Sequence, residues 1–116
     1  YGKITKHAER VYVAGPFSSE SDEGVVENIE AASTIGLQLA DRGHLVHVPH
    51  QATAFMHELQ NYEYFMDLDL SIIEKWATAL YFVGSSPGAD RELELAEKLG
   101  LTIWRSIDEV PFVAGR

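Results

Sequence analysis

The sequence predicts an α/β domain of three layers, with helices on both faces of a mostly parallel central sheet of four to five strands. Two observations carry this. Short apolar runs alternate along the chain with longer stretches of helical period, and Gly or Pro punctuates the junctions. One of the short runs, Thr78–Val83, is apolar throughout, as expected of a strand covered on both faces.

The elements follow in order. Arg10–Ala14 is a β-branched and aromatic run stopped by Gly15-Pro16, and reads as the first buried strand. Ser21–Asp41 carries Val25, Val26, Ile29, Ala32, Ile35 and Leu39 on one helical face, with Ser21 or Asp22 as N-cap and Gly43 as the stop. His44–Val48 reads as a second strand ending at Pro49, and Gln51–Gln60 fits either a short helix or a loop. Tyr62–Trp76 is the second long helix, with Phe65, Leu68, Ile72 and Trp76 as its stripe. After the Thr78–Val83 strand comes a turn at Gly84–Gly88, a helix over Ala89–Leu99 closed by Gly100, and a last strand at Leu101–Trp104. Crossovers between parallel strands are expected to be right-handed.

A chain of 116 residues suggests one domain spanning residues 1–116, and its start at Tyr1 rather than Met fits a piece trimmed from a longer chain. No apolar run is long enough to span a bilayer, and the start does not resemble a signal peptide. Without cysteine there are neither disulfides nor thiolate metal sites, which fits a reducing, cytoplasmic setting. A formal charge of −9 argues against a nucleic-acid polymer as partner, because a phosphate backbone calls for clustered Lys and Arg. A small anion remains possible, since a few N–H groups at a helix start can hold one phosphate.

In open α/β sheets, ligands bind beyond the carboxyl ends of the strands. Three segments lie there: Gly15–Ser19, Pro49–Thr53 and Gly84–Gly88. In the last of these, Ser86 can cap the following helix with Pro87 in its first position, which needs no ligand. The same hydroxyl and free N–H groups also make an anion seat. Glu92 falls in the second turn of that helix, facing the same edge. Helical carboxylates are usually solvated, and Glu94, Glu97 and Asp67 read that way. Asp69 lies within the apolar stripe of its helix, where an acid needs a partner or a task. Two carboxylates converging on one pocket suit glycosidic chemistry, and could equally cap backbone groups.

His44, His47 and His50 invite a metal reading, but strand alternation turns His47 away from the other two, and the sequence predicts no metal site. His50, just past its strand, is the one expected to reach the cleft. Tyr62, Tyr64, Phe65, Trp76 and Trp104 have the spacing of core aromatics, whereas Phe17 in the first loop is the better candidate for stacking on a base.

The strings VYVAGPF, VPH, YFMDLDLSII and SPGADRELELA, in that order between Val11 and Trp104, resemble the nucleoside 2-deoxyribosyltransferase superfamily, including its deoxynucleoside 5′-monophosphate glycosidase branch. The resemblance implies a flavodoxin-like (Rossmann-like) fold. It places the nucleophile of a Gly-x-x-x-Glu-Leu-x-x-Ala segment at Glu92, and the sugar- and base-positioning acid of an Asp-Leu pair at Asp69. The substrate-binding first loop falls on Gly15, Pro16, Phe17 and Ser18. Six residues before the nucleophile, transferases acting on free nucleosides carry an Asp and the monophosphate glycosidases a Ser. This chain has Ser86, whose hydroxyl can donate to a phosphate that a carboxylate would repel. Gly88 joins it in that seat.

The activity so implied is cleavage of the N-glycosidic bond of a (deoxy)nucleoside 5′-monophosphate through a covalent glycosyl–Glu92 intermediate, with no metal or organic cofactor. The partners implied are a small nucleotide or nucleoside and further copies of the chain in a homo-oligomer. Against these stand a transferase exchanging bases on free 2-deoxynucleosides, and a non-catalytic nucleotide-binding or sensor domain. The acidic first loop, Phe17 to Glu23, lacks the basic contacts of many phosphate-binding relatives.

Overall fold

A computed structural model describes residues 3–17, 19–52 and 62–115. Four parallel strands form the central sheet: β2 (Arg10–Ala14), β3 (Leu45–His47), β4 (Ala79–Phe82) and β5 (Thr102–Trp104), in the order β3-β2-β4-β5. Helices α1 (Asp22–Asp41), α2 (Pro49–Ala52), α3 (Tyr62–Lys75) and α4 (Pro87–Lys98) alternate with them. The fold is the mixed α/β class with a mostly parallel four-stranded sheet that the sequence predicts.

Strand alternation divides the core in two. Val11 and Val13 of β2 point to one face, where they pack with Ala32 and Leu39 of α1, Tyr81 of β4 and Trp104 of β5. Tyr12 and Ala14 point to the other, where they pack with Ile73 of α3, Leu80 of β4 and Ala96 of α4. Strand β2 is central and paired on both sides, and Val11, Tyr12, Val13 and Ala14 are wholly buried. Tyr12 is thus directed at the face bearing α3 and α4, and that direction builds the site.

The helix boundaries follow local chemistry. Ser21 caps α1 by accepting from Gly24 N at 3.0 Å, and Gly43 (φ 95°) lets the chain turn out after it. Ser86 caps α4 by accepting from Ala89 N at 3.1 Å. Pro87 is already helical, so α4 starts two residues before the expected Ala89, because proline's fixed φ suits the first turn. In α3 the buried residues are Phe65, Met66 and Ile73; Ile72 and Trp76 of the expected stripe pack partly buried against the same core, and Met66 joins them because α3 also meets α4. Asp69 is partly buried on that stripe, while Asp67, Glu94 and Glu97 are exposed.

The sequence reading missed one feature. The chain ends meet in a two-stranded parallel sheet, β1 (Ile4–Thr5) with β6 (Phe112–Val113), reached through a 3-10 turn at Ile107–Glu109. Two-residue strands carry too little pattern to be read from sequence. His44 ties this region down: its Nδ1 accepts from Glu9 N at 3.0 Å, its Nε2 bonds Pro111 O at 2.8 Å, and its ring packs on Trp104. Of the segment Gln51–Gln60, Gln51 and Ala52 close the short helix α2 and the remainder lies outside the described residues.

Candidate functional site

A cavity of about 310 Å³ opens beyond the carboxyl ends of β2, β3 and β4. Its floor is acidic. Glu92, on the inward face of α4, is 5% exposed and accepts a 2.7 Å hydrogen bond at Oε2 from the Tyr12 hydroxyl. Asp69 approaches from α3, lines the same cavity, and keeps Oδ1 buried without a hydrogen-bond partner.

The electrostatics of this floor follow from burial. Desolvation raises Glu92 from its ordinary 4.5 to about 8; the neighbouring Asp69 charge adds to the rise and the Tyr12 hydrogen bond opposes it. Asp69 is raised to about 6, again by burial first, with hydrogen bonding from Tyr12 and Glu92 pulling it back. Two carboxyls this close titrate as a pair, which retains a proton near neutral pH. The Tyr12 phenol is held well above 10 by burial and then by both acids, so it stays a donor.

The walls come from the strand-end segments. Gly15 and Phe17 follow β2, His50 follows β3, and Ser86 and Gly88 follow β4. A Cβ on Gly15 would lie 2.9 Å from Val83 Cβ, so only glycine lets the β2 and β4 exits run this close. His50, 4% exposed, is anchored through Nε2 to the carbonyls of Gly15 at 3.1 Å and Pro16 at 2.9 Å, and its ring sits 5.9 Å from that of Phe17. Ser86 Oγ spends a lone pair on Ala89 N, which leaves its O–H for a ligand.

Of the residues singled out in the sequence, Glu92, Asp69, Gly15, Phe17, His50, Ser86 and Gly88 line one cavity. Pro16 contributes only its carbonyl, as the support for His50. Ser18 lies outside the described residues. His47 is on the same side of the sheet as Tyr12 but packs between Tyr12 and Trp76, and burial lowers its pKa. His44 lies far from the cavity, beside Trp104. Among the described residues no cluster of three His, Cys, Asp or Glu has metal-binding geometry.

Tyr12 is the residue that sequence reasoning missed. Its one signal was a phenol in the middle of a buried strand, which needs a partner for its hydroxyl. Tyr62 and Met66 also line the cavity. Tyr62, read as a core aromatic, is 52% exposed at the rim, with the Arg91 guanidinium 5.8 Å over its ring and Arg91 paired to Glu63 at 3.2 Å. No Lys or Arg is among the lining residues described. No helix in the described residues is long and apolar enough to cross a membrane.

Among solved structures, the chain is similar to the 2-deoxyribosyltransferase from the psychrotolerant bacterium Bacillus psychrosaccharolyticus, described as a biocatalyst for the synthesis of nucleosides. The two share 27% identity at a TM-score of 0.62, over 81% of this chain and 69% of that one. No curated protein matches the sequence. A family described as "Domain of unknown function (DUF4406)" matches residues 9–105, which hold all four strands of the central sheet and every cavity residue named above. The chain belongs to that family, and is a nucleoside 2-deoxyribosyltransferase-like protein of the flavodoxin-like class.

Proposed function

We propose that this protein is an enzyme that breaks the N-glycosidic bond of a (deoxy)nucleoside 5′-monophosphate, with Glu92 as nucleophile. The observation that carries the reading is the buried Glu92–Asp69 pair under Tyr12, at the floor of a cavity beyond the strand ends. Likeness to a 2-deoxyribosyltransferase supports glycosyl chemistry at that floor.

In this mechanism an ionised Glu92 oxygen attacks the anomeric carbon. A C–O ester bond forms as the C–N bond breaks, and the base departs with the bonding pair and takes up a proton. Tyr12 holds Oε2, which orients the carboxylate and leaves Oε1 to attack. Asp69, which lines the same cavity, positions the sugar and base. Water then attacks the glycosyl ester at the anomeric carbon and restores the Glu92 carboxylate. The Ser86 O–H and the Gly88 N–H seat the phosphate at the start of α4.

A second reading, base exchange on free 2-deoxynucleosides, is favoured by the absence of Lys and Arg among the described lining residues and by the relative's own name. One experiment separates them. The protein is incubated with deoxynucleosides and their 5′-monophosphates, with and without a second base, and the bases are separated by chromatography. Release from monophosphates alone supports the first reading. Exchange between free nucleosides that needs the acceptor base supports the second. No release from any compound refutes both.

A further inference from the structure

A phosphate monoester brings a charge of about −1.5 to −2 and three acceptor oxygens. The start of α4 offers it little. Ala89 N donates to Ser86 Oγ, Asp90 N donates to Ser86 O, and Pro87 has no N–H, so the Ser86 hydroxyl and the Gly88 N–H remain. Both are neutral. Asp90 adds a carboxylate to the same turn, held by the Ser85 hydroxyl at 2.9 Å. A dianion seated there calls for a further donor and for positive charge.

Both stand at the mouth of the cavity. Tyr62, the first residue of α3, lines the cavity and is half exposed. A Cβ on Gly88 would meet the Tyr62 hydroxyl at 3.6 Å and Met66 Sδ at 3.4 Å, so the phenol reaches across from α3 to the Gly88 backbone. Arg91 of α4 adjoins it. The guanidinium lies 5.8 Å over the Tyr62 ring and pairs with Glu63 at 3.2 Å, and Arg91 is not among the described lining residues. Interaction with the Tyr62 hydroxyl, and then with Glu63, raises the pKa of Arg91. Arginine has no acceptor, so the phenol hydrogen does not go to Arg91 and can be given to a ligand. A guanidinium beside the phenol oxygen also makes that hydrogen a stronger donor. The pair with Glu63 is exposed on both sides, the kind of contact an incoming phosphate can displace.

We propose that Tyr62 and Arg91 determine specificity for the 5′-phosphate: the Tyr62 hydroxyl donates to a phosphate oxygen above Gly88, and Arg91, next to that hydroxyl, supplies the positive charge that the cavity lining lacks. This deepens the function proposed above and rests on it. The cation of the seat thus comes from the rim between α3 and α4 rather than from the first loop.

The ratio of kcat/KM for a deoxynucleoside 5′-monophosphate to that for its free nucleoside is measured in the wild type, Tyr62→Phe, Arg91→Gln and Arg91→Lys. Tyr62→Phe is expected to lower the ratio about tenfold and Arg91→Gln about 10- to 100-fold, through KM rather than kcat, with Arg91→Lys keeping most of it. Neither side chain belongs to the buried core, so the variants keep the packing of the fold. A ratio unchanged in Tyr62→Phe or in Arg91→Gln, or two rates that fall together, would overturn the proposal and leave a surface cluster that ties α3 to α4. Calorimetry with 2-deoxyribose 5-phosphate reads the same contacts without turnover. Binding weakened by similar factors in Tyr62→Phe and Arg91→Gln supports the proposal, whereas equal binding, or none in the wild type, overturns it. Release of no base from any compound, with the sugar phosphate still bound in this pattern, would refute the glycosidase reading and leave the roles of Tyr62 and Arg91 standing.

Discussion

Replacing Glu92 by Gln should make the protein more stable at alkaline pH while abolishing its activity. Glu92 is buried and rises from 4.5 to about 8 on folding. Between those values the folded chain holds a proton that the unfolded chain has released, so stability falls as pH rises through this window. At about 1.4 kcal/mol per tenfold change in proton affinity, the full loss is on the order of 5 kcal/mol, a large share of the ~5–15 kcal/mol that holds a domain together. Gln keeps an acceptor for the Tyr12 hydroxyl, and its amide can donate to the unpartnered Asp69 Oδ1, but it never ionises. Urea unfolding of both proteins from pH 5 to pH 9 compares the acid pair with Asp69 alone, since the groups outside the pair are common to both proteins. The curves should lie closest at pH 5 and diverge steadily up to about pH 8, with the variant the more stable by several kcal/mol at pH 9. Parallel curves, or a variant that is less stable at pH 9, would refute a buried, proton-holding Glu92.

The same acid pair sets the pH dependence of catalysis: kcat/KM should rise toward pH 8 as Glu92 ionises, with Asp69→Asn moving the rise to lower pH and Tyr12→Phe to higher pH, because the first removes a neighbouring charge and the second a hydrogen bond to the carboxylate. Tyr12→Phe should also cost about 10- to 100-fold in kcat, read from initial rates of base release. Ser86→Ala should lower stability by about 1 kcal/mol through loss of the α4 cap, seen in the urea midpoint, and raise KM for monophosphates while leaving free nucleosides unaffected. Gly36→Ala should destabilise by about 1–2 kcal/mol despite its gain in helix propensity, because the new Cβ would stand 2.8 Å from Val48 Cγ2 where α1 meets the end of β3.

Much of the fold was legible because its elements are bounded by strong local chemistry. The continuous apolar run ending at Val83 could be satisfied only by a strand with helices on both sides, and β4 is that strand. Ser21, Gly43, Ser86 and Gly100 punctuate α1 and α4 where capping physics puts them. What escaped was decided by tertiary pairing. The β1–β6 sheet joins residues more than a hundred positions apart through two-residue strands, and Met66 enters the inward face of α3 because α4 lies beside it.

The site shows the same division. Asp69 could be proposed because it is a carboxylate on an apolar stripe, and Glu92 because it follows a strand-end turn on a helix that faces the same edge. Neither helix says what lies opposite. The sheet supplies that: β2 is central, its buried residues Tyr12 and Ala14 face α3 and α4, and Tyr12 is the one of the two with a polar end. A phenylalanine there would fill the same core volume, so the pattern VYV reads as packing until both acids are seen across from it. The hydroxyl does what packing cannot: its 2.7 Å bond to Oε2 restrains the rise in Glu92's proton affinity that burial imposes. Without that bond the carboxylate would hold its proton further into the alkaline range, and a smaller fraction of the nucleophile proposed here would be ionised at neutral pH. Tyr12 is therefore the residue through which the core of this fold bears on the chemistry proposed for it.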